Sequence, residues 1–244
     1  MPETARQIAD DLRARIESGE LQPGDRLPGE PSLVRTYGVA KMTANQALKI
    51  LVSEGLAVAR PGSGTYVREF RPIRRVANDR LSKSRWSSGR SIWSADVAQR
   101  PLVTDVQVYE TEAPHQVGRL LNLDPGAPVI VRSRKFVVED RPVQMATSYL
   151  PAELVRGTAI AQPNTGPGGS YARLAELGAE PVRFTEELRA RMPSEEERSA
   201  LNLTAGTPVV EICRTAFTED DRPVEVNQML LDAGSYVLEY RLNN

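Results

Sequence analysis

Cysteine and histidine are almost missing from this chain of 244 residues: Cys213 and His115 are the only one of each. A lone cysteine excludes an internal disulfide and points to a reducing, cytosolic setting. Cys/His catalysis would need those two residues to meet, and no group of residues has the spacing of a metal site, so neither a metal nor a cofactor is expected. His115 follows Pro114 at an expected helix start and Cys213 falls in an expected strand, where a structural role suits each; carboxylate-only catalysis stays open. Long apolar runs are lacking too. No stretch approaches the roughly 18 residues of a spanning helix, and Met1, Pro2, Glu3 and Thr4 make no basic and apolar leader. The expectation is a cytoplasmic protein without membrane contact.

What is present is enough apolar material, 40% of residues, for one large domain or two modest ones. The formal net charge of −1 conceals an asymmetry: residues 1–90 carry 16 Lys+Arg against 10 Asp+Glu, and the remainder 15 against 22. A basic first third suits a polyanion that the acidic remainder would repel.

Ile8, Leu12 and Ile16 recur at helical spacing and Gly19 supplies a stop, which predicts an amphipathic helix over residues 4–18. After the bend Gln22, Pro23, Gly24, Asp25, a short segment from Glu30 to Tyr37 turns inward at Leu33 and Val34 and ends at Gly38, a residue suited to the tight turn of a helix-turn-helix. A third helix over residues 41–54 buries Ala47, Leu48, Leu51 and Val52 and leaves Lys41, Thr43, Asn45, Gln46 and Lys49 on its other faces. Residues 56–60 and 65–67 then flank Pro61, Gly62, Ser63, Gly64, a β-hairpin with a glycine tip able to approach a phosphate backbone or minor groove.

Three helices and a hairpin make a winged helix. The strings LPGEPSLVRTYGVAKMTANQALKILVSEGL and RPGSGTYV resemble the DNA-binding domain of the GntR family, over residues 5–67. The resemblance implies a homodimer on a pseudo-palindromic double-stranded operator, with the recognition helix in the major groove and the wing in the minor groove. The residues expected at DNA are Arg35, Lys41, Met42, Thr43, Asn45, Gln46, Lys49, Gly62, Ser63 and Gly64. Three positions depart from the family's habit. Pro31 stands where many relatives carry a DNA-reading arginine, and Ala40 where a hydroxyl caps the recognition helix. Asn45 stands where arginine is common; its amide matches the N6/N7 edge of adenine, with a solvated side chain as the alternative.

From Arg68 to Arg90 apolar periodicity fades and eight arginines and lysines accumulate, which reads as a linker whose cations either follow phosphates or are solvated. Trp86 and Trp93 are expected to pack on the second domain. That domain repeats itself: LLNLDPGAPVIVRSRKFVVEDRPVQMATSYL, from Leu120, matches ALNLTAGTPVVEICRTAFTEDDRPVEVNQML, from Ala200, at an offset of 80 that becomes 81 by Arg141 and Arg222. Leu121/Leu201, Asn122/Asn202, Gly126/Gly206, Arg134/Arg214 and the RPV tripeptides correspond. Each unit reads as strand, helix and hairpin, and two such units predict a shared antiparallel sheet with helices packed on it and a cleft where they meet.

SYLPAELV, YARLAELG and the RPVEV hairpin, standing in this order, resemble the UTRA effector-binding domain of the HutC subfamily of GntR regulators, over residues 97–244. The implied fold class is α+β: an N-terminal winged helix-turn-helix (1–70), a linker (71–95) and a chorismate-lyase-like antiparallel sheet with helices (96–244) that binds effector and dimerises. By resemblance, Arg132 and Arg134, two apart on one face of a strand, are effector-binding arginines suited to a phosphate or carboxylate, with Ser148, Tyr171 and Glu225 at pocket positions. Asn164 and Thr165, in the glycine-rich loop before Tyr171, are further candidates, the alternative being a plain connector. Either arginine has an acidic neighbour as its alternative partner, and Tyr171 a core role. The functional expectation is a repressor whose operator affinity a small molecule changes; the rival classes are a lyase-like enzyme and a DNA-binding protein that no small molecule affects.

Overall fold

The computed structural model describes residues 4–69, 73–77, 81, 102–138 and 140–241. The chain divides into two units, residues 1–71 with 203–207 and residues 72–202 with 208–244.

The first unit begins with a reciprocal cap. The Thr4 hydroxyl accepts from the Gln7 amide and the Gln7 side chain accepts from the Thr4 amide, so two donors that helix α1 (Ala5–Glu17) cannot satisfy internally are paired. Ile8, Ala9 and Leu12 form its fully buried stripe. Helix α2 (Glu30–Tyr37) ends at Gly38, whose φ of 64° reverses the chain at no steric cost. Helix α3 (Lys41–Ser53) then packs Ala44, Ala47, Leu48 and Leu51 into one core with α1 and with Leu33 of α2. Val52 is only half-buried, because the core-facing stripe of α3 passes through Ala44 instead. Strands β1 (Ala57–Arg60) and β2 (Gly64–Val67) pair antiparallel from Arg60/Gly64 to Ala57/Val67, which leaves residues 61–63 as the tip. This is the expected winged helix.

The second unit is built on a six-stranded antiparallel sheet whose strands lie side by side in the order 102–112, 128–138, 141–151, 223–232, 209–217, 183–191. Its strands are β4 (Leu102–Glu112), β5 (Pro128–Val138), β6 (Arg141–Pro151), β7 (Arg183–Arg191), β8 (Val209–Phe217) and β9 (Pro223–Asp232). The two sequence repeats are the two halves of this sheet, joined where β6 pairs with β9. Helices α4 (His115–Leu120) and α7 (Glu195–Ala200) stand at equivalent points in them. Each is followed by an asparagine in the left-handed region, Asn122 at φ 52° and Asn202 at φ 49°, so the repeat extends to backbone conformation. Between the halves, α5 (Ala152–Val155) and α6 (Gly169–Glu176) bury Val155, Tyr171 and Leu174 over Ile130, Leu150, Ala216 and Val224 of the sheet.

One expectation is corrected. Residues 73–76, within the stretch taken as a linker, form β3 (Ile73–Val76), paired parallel with the last strand, β10 (Tyr236–Glu239). Ile73 and Tyr236 bury against Phe136, Ile212 and Leu231, and Arg75 is fully buried. Neither reading of the linker cations holds at Arg75; the reason is a carboxylate more than a hundred residues away in the chain, described below. Trp86 and Trp93 lie outside the described residues. No helix among those described is long and apolar enough to cross a membrane.

Candidate effector cavity and DNA-reading face

A cavity of about 160 Å³ lies against the sheet of the second unit, where the two repeats meet. Its floor comes from inward-facing positions of four adjacent strands: Arg134 of β5, Gln144 of β6, Glu225 and Asn227 of β9, and Arg214 of β8. Its rim is the start of α6, from Gly168 to Tyr171. Gly168 and Gly169 hold φ values of 81° and 69° and no side chain caps the helix, so a side-chain-free turn brings the first turn of α6 to the cavity.

The walls are largely apolar, with Val103, Phe136, Ala146 and Met229 among them, but the polar groups they hold are under-satisfied. Arg134 Nη2 donates to Ser148 Oγ at 2.5 Å, but Arg134 Nε has no partner and the guanidinium makes no salt bridge among the described residues. Burial pushes the Arg134 guanidinium down, against the pull of Glu225. Arg214, 2% exposed, donates from Nε to Glu186 at 2.8 Å. Its Nη2 sits 2.7 Å from the same carboxylate without the direction of a hydrogen bond. Asn227 Oδ1 is also buried without a partner, and the Tyr171 hydroxyl lies close to Arg214 and Glu225 without a well-directed hydrogen bond to either. Burial, aided by the Glu225 charge, raises the Tyr171 phenol well above its ordinary value, so it keeps its proton as a donor. Buried polar groups are ordinarily hydrogen-bonded, and leaving one unmade costs about 1–3 kcal/mol. The guanidinium groups of Arg134 and Arg214 and the Tyr171 hydroxyl converge on one cavity as donors for an anion, with Glu225 and Asn227 Oδ1 available to accept from hydroxyls or an amine.

The sequence-based site residues divide. Arg134, Tyr171 and Glu225 meet in the cavity, and buried Ser148 lies behind Arg134 as its acceptor. Arg132 does not line it. Its guanidinium donates to the carbonyls of Ile160, Gln162 and Pro163, and burial, with the Arg134 charge, lowers it to about 10. Asn164 accepts from the Gly166 amide, and neither it nor Thr165 reaches the cavity wall. Arg214, Gln144 and Asn227 were missed. The internal repeat carried a signal for two of them, since Arg214 matches Arg134 and Gln144 matches Glu225.

On the first unit, Arg35, Lys41, Met42, Gln46, Lys49, Gly62, Ser63 and Gly64 are exposed, and Thr43 and Asn45 are half-buried. Met42, at 79% exposure, projects from the first turn of α3. Asn45 is not simply solvated: its amide donates to Glu30 Oε1 at 2.5 Å, and Lys41 Nζ lies 3.7 Å from the other oxygen. At the wing, Gly62 holds φ 72° and Gly64 φ 122°, and a Cβ at Gly64 would stand 2.9 Å from Arg26 Nε. The Arg60 guanidinium lies 4.4 Å over the Tyr66 ring, placing a cation that the sequence reading missed beside the tip.

Residues 4–67 match the gntR family of bacterial regulatory proteins, and residues 99–236 match the UTRA domain. The chain belongs to the GntR family of bacterial regulators. Its relatives include an uncharacterized HTH-type transcriptional regulator of Streptomyces coelicolor, 36% identical over 90% of this chain and 85% of that one. Another is the mannosyl-D-glycerate transport/metabolism system repressor of Escherichia coli, 28% identical over 95% and 92%. A crystal structure described as a GntR-family transcriptional regulator superposes with a TM-score of 0.70 at 30% identity, covering 98% and 97%. PhnF from Mycobacterium smegmatis, at 20% identity and a TM-score of 0.58, shares the fold. This GntR protein is therefore a DNA-binding transcriptional regulator with the UTRA domain expected of the HutC subfamily, and the enzyme alternative falls away.

Proposed function

We propose that this GntR regulator is a cytoplasmic, homodimeric repressor released from a pseudo-palindromic operator by a small hydroxylated anion. The observation that carries this reading is the convergence of buried, incompletely satisfied donors on Arg134, Arg214 and Tyr171 around a cavity that also holds a carboxylate. Arginine donors suit a carboxylate or phosphate through charge-assisted hydrogen bonds, and Glu225 suits hydroxyls or an amine at the other end of the molecule. The E. coli relative named above represses a system for a glycosylated carboxylate, a compound with both features.

At the DNA, Lys41 and Lys49 contact phosphates, Thr43 and Asn45 face base edges, and Gly62 to Gly64 enter the minor groove. The effector binds better to a dimer whose reading heads are set wrongly for the operator, so that the two ligands oppose each other. Fluorescence anisotropy with DNA from the promoter of the protein's own gene tests this against a panel of sugar phosphates, sugar acids and hydroxylated carboxylates, with neutral sugars and amines beside them. Tight, salt-sensitive binding relieved by one anion is expected. Binding relieved only by neutral or cationic compounds, or by none, contradicts the effector half of the proposal.

A further inference from the structure

The largest fully buried side chain among the described residues is a charged one, Arg75 of β3. A guanidinium leaves water only at a large cost unless a counter-charge goes with it. That counter-charge is Glu186 of β7, which accepts from Arg75 Nη1 at 3.0 Å and from Nη2 in a second, shorter bond. The same carboxylate stands directly across the strand pair from Arg214, accepts from its Nε, and accepts from the Tyr240 hydroxyl at 2.9 Å. One oxygen, Oε1, serves both arginines. Glu186 is thus shared between the wall of the effector cavity and the strand that follows the DNA-binding unit in the chain.

We propose that Glu186 relays anion occupancy of the cavity to β3. The inference rests on reading the cavity as an anion site. In the empty protein the carboxylate divides its charge between Arg214 and Arg75. An anion at Arg214 engages that guanidinium's spare donors and repels Glu186, so the pull of Glu186 falls on Arg75 and Tyr240, and β3 is held more tightly. Linkage makes the effect reciprocal: removing Arg75 leaves Glu186 to Arg214 alone, where it competes harder with the anion. Glu186 acts here as a positioning residue, since it touches the ligand only through Arg214.

The test uses the full chain and inorganic phosphate as the probe, with binding followed by calorimetry and amide exchange of residues 73–77 by mass spectrometry. In the wild-type protein phosphate binds and slows exchange across β3. Glu186→Gln, which removes the competing charge, binds phosphate at least about 5-fold more tightly, and β3 no longer responds. Arg75→Met shifts phosphate affinity by a similar factor in the opposite direction. A merely structural role for the triad predicts weaker binding in both variants. Phosphate binding without slower β3 exchange, or Glu186→Gln binding no tighter, overturns the relay and leaves the anion site standing. Failure of wild-type protein to bind phosphate overturns both. Should either variant not fold, the exchange measurement on the wild-type chain decides.

Discussion

Arg134 and Arg214 occupy the same position in the two halves of an internal repeat, yet only Arg214 forms an ion pair with the strand across from it. Glu186 of β7 faces Arg214, whereas Arg134 stands opposite the register break between Thr104 and Gln107 of β4, where the carboxylate, Asp105, pairs with Lys135 instead. Duplication supplied two arginines; divergence at their neighbours left one held and one free. The free one is the natural first contact for an effector anion.

Arg134→Met is therefore expected to weaken effector binding roughly 10- to 150-fold, the equivalent of about 1.5–3 kcal/mol for a hydrogen bond to a charged group. Operator affinity without effector stays within twofold of wild type. Calorimetry against the effector and anisotropy against the operator measure the two quantities separately.

Lys41 lies at the exposed start of α3, 3.7 Å from the nearest carboxylate oxygen. Lys41→Ala should weaken binding uniformly across operator variants and reduce the slope of log K against log salt by about 0.9, the signature of one lost phosphate contact. A titration from low to moderate salt checks the slope.

Asn45 donates one N–H to Glu30, which leaves its second N–H and its carbonyl oxygen for a base edge. Exchange for arginine should shift preference at one base pair of each half-site toward G·C, by about 1–3 kcal/mol. Operator scanning with single substitutions reads this directly, and an unchanged preference would remove Asn45 from the set of base contacts.

Ala40 is the N-cap of α3 in an extended conformation and contributes no side-chain bond. Ala40→Ser should add about 0.5–2 kcal/mol to the stability of the DNA-binding unit. Urea unfolding followed on the helical signal measures the gain.

Glu186 carries a pH dependence of known sign. Burial acts to raise its carboxyl, but hydrogen bonds from Arg75 and Arg214 and their charges outweigh this and hold it at about 2. Because the folded value lies below the unfolded value of about 4.3, its contribution is present above that value and is lost as pH falls toward 2. The stability difference between wild type and Glu186→Gln should shrink, by an amount on the order of 3 kcal/mol, as the pH is lowered from about 6 to about 2.

Much of this molecule was legible in its sequence, for identifiable reasons. The helices of the winged domain follow from a 3.6-residue apolar period closed by Gly19, Gly38 and Gly55, and the two halves of the sheet follow from a repeat that keeps its turn residues Asn122/Asn202 and Gly126/Gly206. Arg75 was not legible. A buried arginine looks like a solvated one until the chain is folded, because its partner Glu186 is 111 positions away. Arg132 failed for a related reason: strand alternation places it on the same face as Arg134, but the main-chain carbonyls of residues 160–163 occupy its donors. Arg214 could have been found by applying the repeat to the site as well as to the fold.

The central claim, that an anion in the cavity governs the hold on DNA, is tested most directly by operator affinity measured at fixed ionic strength with and without saturating effector, in wild type and in Arg134→Met. The account predicts a 5- to 150-fold loss of operator affinity in the wild type, corresponding to a coupling of about 1–3 kcal/mol, and, at the effector concentration that just saturates the wild type, a smaller loss in the variant. Equal operator affinity in the wild type with and without effector, or a response in Arg134→Met as large as in the wild type, would contradict it.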